Sequence, residues 1–161
     1  MSAVDLKIEV VGDGPPVVVL HGLFGAGRNW ITVARALAGH YRFHLVDLRN
    51  HGGSPHTDTM TYTDMVEDVA QLVERLGLDA YTLVGHSMGG KAAMTLALSA
   101  PRGLRRLVNV DIAPVTYPDR FVDVIAALQA LDLATVARRA DADRALQAAI
   151  PETAVRPFIL Q

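Results

Sequence analysis

A serine flanked by glycines two positions on either side, Gly85-His86-Ser87-Met88-Gly89, follows the apolar run Tyr81 to Val84 and leads into the Ala-rich stretch Lys91 to Ser99. A serine hydroxyl is a weak nucleophile until its placement and a neighbouring base activate it. On a sharp strand-to-helix turn the serine is driven towards positive φ, which is strained. The glycines leave room for the crowded backbone. The hydroxyl then projects at the carboxyl end of a sheet, where α/β ligands bind. Beneath it a helix amino terminus favours developing negative charge. The chemistry that fits is acyl transfer with the serine as nucleophile. Outside a strand-turn-helix context the same pentapeptide is an ordinary Gly-rich turn.

Acyl transfer needs donors for the oxyanion of the tetrahedral intermediate. One is expected from the residue after the nucleophile, Met88, and one from the loop after an earlier strand. His21-Gly22-Leu23-Phe24-Gly25 follows the strand-like Val17 to Leu20, so Leu23 is the expected second donor, with Phe24 next. Asp111 ends the strand-like run Leu104 to Val110 and so lies at the same rim of the sheet. A carboxylate there suits the orientation of an imidazole and the stabilisation of its cation; it equally suits bracing of a loop.

The elements that must hold these residues alternate along the chain. Leu6 to Val11 reads as a strand, closed by Gly12-Asp13-Gly14-Pro15. Val17 to Leu20 is short, apolar and β-branched, as in a strand buried on both faces of a parallel sheet. Phe43 to Val46, Tyr81 to Val84 and Leu104 to Val110 complete five strands. Between them, Trp30 to Leu37 predicts a helix with Trp30, Val33, Ala34 and Leu37 on one face. Thr61 to Leu76 predicts a second that buries Met65, Val69, Leu72 and Leu76, and Lys91 to Ser99 a third. Such alternation implies right-handed crossovers and a mostly parallel sheet. Residues 119–149 read as helical throughout, with Phe121, Val124, Ile125, Leu128 and Leu131 on one face. The run Arg138, Arg139, Asp141, Asp143 and Arg144 reads as a solvated helix face.

The chain has 161 residues, half of them apolar, and a formal net charge of −2. That balance gives no reason to expect nucleic acid or an anionic membrane as partner. The absence of cysteine excludes disulfides, thiolate metal sites and a thiol nucleophile. Met1 to Val10 carries Asp5, Lys7 and Glu9 and lacks the pattern of a secretory signal. The apolar runs fall far short of the roughly 20 residues that span a bilayer. The expectation is a cytoplasmic protein with no membrane span, acting on a small molecule.

Four segments together carry a resemblance. Leu20-His21-Gly22-Leu23-Phe24-Gly25, Asp47-Leu48-Arg49-Asn50-His51-Gly52-Gly53-Ser54, Gly85-His86-Ser87-Met88-Gly89-Gly90-Lys91 and Val110-Asp111-Ile112-Ala113-Pro114-Val115 look like the α/β-hydrolase superfamily, and within it most like the small YbfF-like esterases. The resemblance implies an α/β-hydrolase fold with helices on both faces of the sheet. It implies hydrolysis of acyl esters or thioesters through Ser87, with no metal or organic cofactor. Similar esterases take their acid from the position of Asp111; other members take it one strand later. The resemblance further implies a core over residues 1–117, the beginning of a helical cap or lid over 118–161, and an acyl pocket shaped by that cap and the loop His51 to Pro55.

On this fold the chain order is serine, acid, then histidine. The six histidines, His21, His40, His44, His51, His56 and His86, all precede Ser87. His21, His51 and His86 read more naturally as braces of their loops, and His86 should point away from Ser87, as neighbours do on an extended strand. Family members are longer and continue with further strands. The expectation is therefore a sheet incomplete at its carboxyl-terminal side, ending in an open edge at Leu104 to Val110. Either the chain stops short of its catalytic histidine or a partner chain supplies the missing strands and the base. A reading from another class is a non-catalytic hydrolase fragment that binds a ligand or a partner. Relatives that act as dehalogenases or epoxide hydrolases usually carry Asp at the elbow, where this chain has Ser87.

Overall fold

The computed structural model describes residues 3–117, 121–153 and 155–160. Five strands, β1 (Ile8–Val11), β2 (Pro16–Leu20), β3 (Arg42–Val46), β4 (Tyr81–His86) and β5 (Leu104–Val110), form one sheet in the order β1-β3-β2-β4-β5. β1 runs antiparallel to β3, and the other neighbours are parallel. Side chains alternate across a strand. Val18, Leu20, Val46 and Leu83 therefore face one layer, and Val17, Val19, Phe43 and Leu45 the other. Helices cover both layers, which is why β2 is apolar at every position after its proline.

On the first face lie α2 (Tyr62–Arg75) and α3 (Met88–Leu98), which bury Met65, Val69, Leu72, Ala92, Ala93 and Leu96 against the sheet. α2 begins where it does because Thr61 and Asp64 cap it reciprocally. The Asp64 N–H donates to Thr61 Oγ1 at 3.1 Å, and the Thr61 N–H donates to the Asp64 carboxylate at 2.8 Å. On the second face a 3-10 turn, Gly27–Trp30, runs into α1 (Ile31–Ala36). Here the expected face does not hold: Ala34 is buried, but Val33 and Leu37 are exposed. The 3-10 turn has a different residue period from the α-helix, and α1 ends at Ala36 before Leu37 can join a stripe.

A second compact unit begins after Pro114. It holds α4 (Val122–Gln129), α5 (Arg139–Leu146) and α6 (Val155–Ile159). The continuous helix expected over 119–149 is broken between α4 and α5, and its first two residues lie outside the described ones. Asp132 breaks it: its carboxylate accepts the Ala134 N–H at 3.0 Å, and its carbonyl accepts the Thr135 hydroxyl at 2.8 Å. Such local bonds compete with the helical ladder. No residue of α4 is buried. The core of this unit is Ala142, Leu146 and Ile150. Most of the charged run on α5 is exposed, as expected, but Asp143 turns to Arg156. The Arg156 Nε donates to Asp143 at 2.9 Å, and its Nη1 donates to the Ile150 carbonyl at 2.7 Å. Among the described residues no helix is long and apolar enough to cross a membrane.

Candidate active site

Ser87 stands between β4 and α3 with φ 48° and ψ −112°. Its N–H donates to the Val110 carbonyl at 3.1 Å, and its carbonyl accepts the Lys91 N–H at 3.0 Å to open α3. The two elbow glycines are required by close approach. A Cβ on Gly85 would lie 2.4 Å from the Gly89 carbonyl oxygen, and one on Gly89 would lie 2.5 Å from those of Leu20 and His21. The amino end of α3 thus rests directly on the ends of β2 and β4.

The loop after β2 meets this turn. A Cβ on Gly22 would lie 3.4 Å from Ser87 Cβ and 2.9 Å from His86 Nδ1. Within the loop the Gly25 N–H donates to the Gly22 carbonyl at 3.0 Å, and Phe24 takes φ 61°. The Phe24 N–H is already engaged, donating to His51 Nε2 at 3.2 Å. The Leu23 N–H makes no hydrogen bond among the described residues. Met88 is the first residue of α3, where an N–H has no intrahelical acceptor. Of the two loop donors considered from sequence, Leu23 is thus the one left available.

Asp111 follows β5 at φ 55°, and the bond from Ser87 to Val110 brings its backbone beside the elbow. Its side chain is 86% exposed, with Oδ2 3.9 Å from His86 Nε2, too far for a hydrogen bond. His86 lies nearer the elbow than extended geometry suggests. Its ring and Ser87 Cβ border the same point beside Gly22, because the backbone leaves the extended region at Ser87. The His86 ring also meets Trp30 edge-on at 6.3 Å between centroids.

The other two site histidines are fastened at both ring nitrogens. His21 Nε2 accepts the Leu48 N–H at 3.0 Å, and its Nδ1–H donates to the Gly22 carbonyl at 2.7 Å. His51 Nδ1–H donates to the Arg49 carbonyl at 2.9 Å. Burial pushes the His21 pKa down to about 4, against the smaller opposing pull of the Gly22 carbonyl. Among the described residues no hydrogen bond joins any of these rings to Ser87 Oγ.

Sequence reasoning missed the foundation of the loop after β3. Arg49 is buried and grips Asp68 with two bonds, Nε to Oδ2 at 2.6 Å and Nη2 to Oδ1 at 2.7 Å, with Asp64 3.7 Å away. The hydrogen bonds that the guanidinium donates to Asp68 hold its pKa above the ordinary value despite burial. A single Arg in a polar loop carries no signal of burial, so only the partner on α2 reveals it. Among the described residues no three His, Asp or Glu side chains gather as metal ligands.

Comparison with known proteins joins these observations. The sequence profile of the α/β hydrolase fold family matches residues 15–149. The chain belongs to the α/β-hydrolase fold family. Among curated members of the family, the chain is 46% identical over 156 residues to the sn-1-specific diacylglycerol lipase ABHD11 of Xenopus laevis, covering 91% of this chain and 50% of that protein. It is 37% identical over 147 residues to esterase YbfF of Escherichia coli strain K12, covering 91% of this chain and 58% of that one. A solved structure, that of a marine microorganism esterase, superposes with a TM-score of 0.92 at 36% identity, covering 98% of this chain and 63% of the other. The chain thus stands close to the YbfF-like esterases and spans about half the length of the curated relatives it matches.

Proposed function

We propose that this chain carries the nucleophile, the oxyanion donors and the acid of a serine carboxylic-ester hydrolase. The observation that supports this most directly is Ser87 held at φ 48° on a strand-to-helix turn, since such strain persists only where the surroundings enforce it. In this reading Ser87 Oγ attacks the acyl carbon as an imidazole takes its proton, and the Leu23 and Met88 N–H groups bind the oxyanion. The imidazolium returns its proton to the leaving alcohol or thiol. Water, deprotonated by the same imidazole, then releases the acid and restores Ser87. Asp111 orients the imidazole and stabilises its cation.

The imidazole of this reading lies outside residues 1–161, on a carboxyl-terminal continuation or on a partner chain that pairs with the outer edge of β5. The engagement of His21 and His51 at both nitrogens supports that placement. Residues 118–161 are read as the beginning of a helical cap. The substrate class is a small acyl ester or thioester, which the names of the lipase and esterase relatives support.

The test is hydrolysis of p-nitrophenyl butyrate by the chain, alone and joined to the carboxyl-terminal part of the E. coli esterase. The joined form is expected to turn over, and Ser87→Ala to reduce its kcat about a thousandfold or more. A folded joined form without turnover, or turnover indifferent to Ser87→Ala, overturns the proposal. The former outcome favours a non-catalytic binding module, a reading that also draws on the occupied loop histidines.

A further inference from the structure

We infer that His51 is a positioning residue for the oxyanion loop: its Nε2 takes up the Phe24 N–H, and this leaves the Leu23 N–H fixed and available for the oxyanion. The inference rests on the hydrolase reading of Ser87 and names a residue that reading does not use.

The loops after β2 and β3 interlock through two rings whose centroids are 5.0 Å apart. The Leu48 N–H donates to His21 Nε2, and the Phe24 N–H donates to His51 Nε2. A backbone N–H can only donate, so both Nε2 atoms present lone pairs and both protons sit on Nδ1. Each Nδ1–H then donates within its own loop, His21 to Gly22 and His51 to Arg49. Each ring therefore ties its own loop to the other. The loop after β3 is the firmer partner, because Arg49 is clamped by Asp68 and also reaches the Thr59 carbonyl at 3.3 Å.

The two rings act at different points. His21 steadies the start of the loop after β3. His51 holds the residue next to the oxyanion donor. Phe24 sits at φ 61°, a conformation that a bulky residue keeps only when it is held. Without an acceptor at Nε2, the peptide between Leu23 and Phe24 is free to reorient, and the backbone rotations of Leu23 that follow turn the preceding peptide, which carries the Leu23 N–H. A donor acts on a developing oxyanion only when its direction is set beforehand. The effect of losing that acceptor thus belongs to the chemical step rather than to ground-state binding.

Two substitutions separate this role from simple packing. His51→Gln keeps an oxygen acceptor at the position of Nε2. His51→Asn keeps a donor near Nδ1 and removes the acceptor. In whichever of the two forms above turns over p-nitrophenyl butyrate, His51→Asn is expected to lower kcat about tenfold or more, with KM within about twofold. His51→Gln is expected to stay within about threefold of the parent. Amide exchange at Phe24 is expected to quicken at least about tenfold in His51→Asn alone. Nitrogen-15 spectra of the parent chain near neutral pH are expected to show His51 protonated at Nδ1 and bare at Nε2. Equal kcat in the two variants, or a proton on Nε2 in an active parent, overturns the positioning role and leaves the hydrolase reading standing. A parent with the stated ring state and no turnover in either form overturns the hydrolase reading and, with it, the service of His51 to an oxyanion.

Discussion

The Ser87 N–H and the Val110 carbonyl are hydrogen-bonded at 3.1 Å, and this bond fastens the candidate nucleophile to the strand that ends at Asp111. On its other side a Cβ at Gly22 would come within 3.4 Å of Ser87 Cβ. The elbow is thus held from both neighbouring strands, and its conformation is imposed rather than chosen by the local sequence.

In the proposed hydrolase reading, strain at Ser87 sets activity against stability. Glycine accepts φ 48° without a Cβ penalty. Ser87→Gly is expected to abolish turnover in the joined form while raising the unfolding free energy of the chain by about 1 kcal/mol, measured by urea denaturation. A clear loss of stability in Ser87→Gly would show that the turn is not strained.

The elbow glycines are expected to be intolerant of a methyl group. Gly89→Ala places a Cβ 2.5 Å from two backbone oxygens and should destabilise the fold by about 3 kcal/mol or prevent soluble expression. Gly39→Ala, where a Cβ meets nothing within 4 Å, should change the urea midpoint little. Comparable behaviour of the two variants would contradict the close approach.

Removing half of the buried ion pair should do more harm than removing all of it. Asp68→Ala leaves the buried Arg49 cation without its main partner and should lower stability by about 3 to 5 kcal/mol. The double variant Arg49→Met with Asp68→Leu should recover most of that loss. Denaturant midpoints of the single and double variants decide the matter; a double variant as weak as the single would show that the pair itself holds the fold.

Stability should fall as pH falls through the histidine range. His21 is held at about 4 and His44 is also lowered, each chiefly by burial. In the unfolded chain both bind protons near the ordinary histidine value, so between pH 6.5 and about 4 the unfolded state holds more protons. For His21 alone the loss across that window is on the order of 3 kcal/mol. Neither ring nitrogen of His44 has a partner among the described residues, so His44→Leu should flatten part of the slope below pH 6.5. A flat profile there in the parent would contradict burial of these neutral rings.

How far the sequence discloses this molecule differs from part to part. The five strands were legible because short runs rich in β-branched residues, such as Val17 to Leu20, are bounded by turn signals and alternate with helical periods. The Ser87 turn was legible because its glycines sit between a strand and a helix. Local patterns could not show that Val33 and Leu37 stay exposed, since the 3-10 turn before α1 resets the helical phase. Nor could they show the break at Asp132, where side-chain bonds outcompete an otherwise apolar helical period. Arg49 and His51 were visible only as members of a polar loop. Their partners, Asp68 and Phe24, lie on other elements, and contacts of that kind leave no trace in spacing.

The strand order has a kinetic consequence. β4 lies between β2 and β5, with Leu20 beside Gly85 and His86 beside Val110. Gly22, Ser87 and Val110 come together only after two parallel pairings have closed long stretches of chain, which are slow steps. No local folding unit contains the site. In a form that also holds the base of the proposed reading, a reagent that reacts only with an activated Ser87 would therefore mark molecules that have already closed the central sheet, which makes the appearance of reactivity a clock for a late stage of folding.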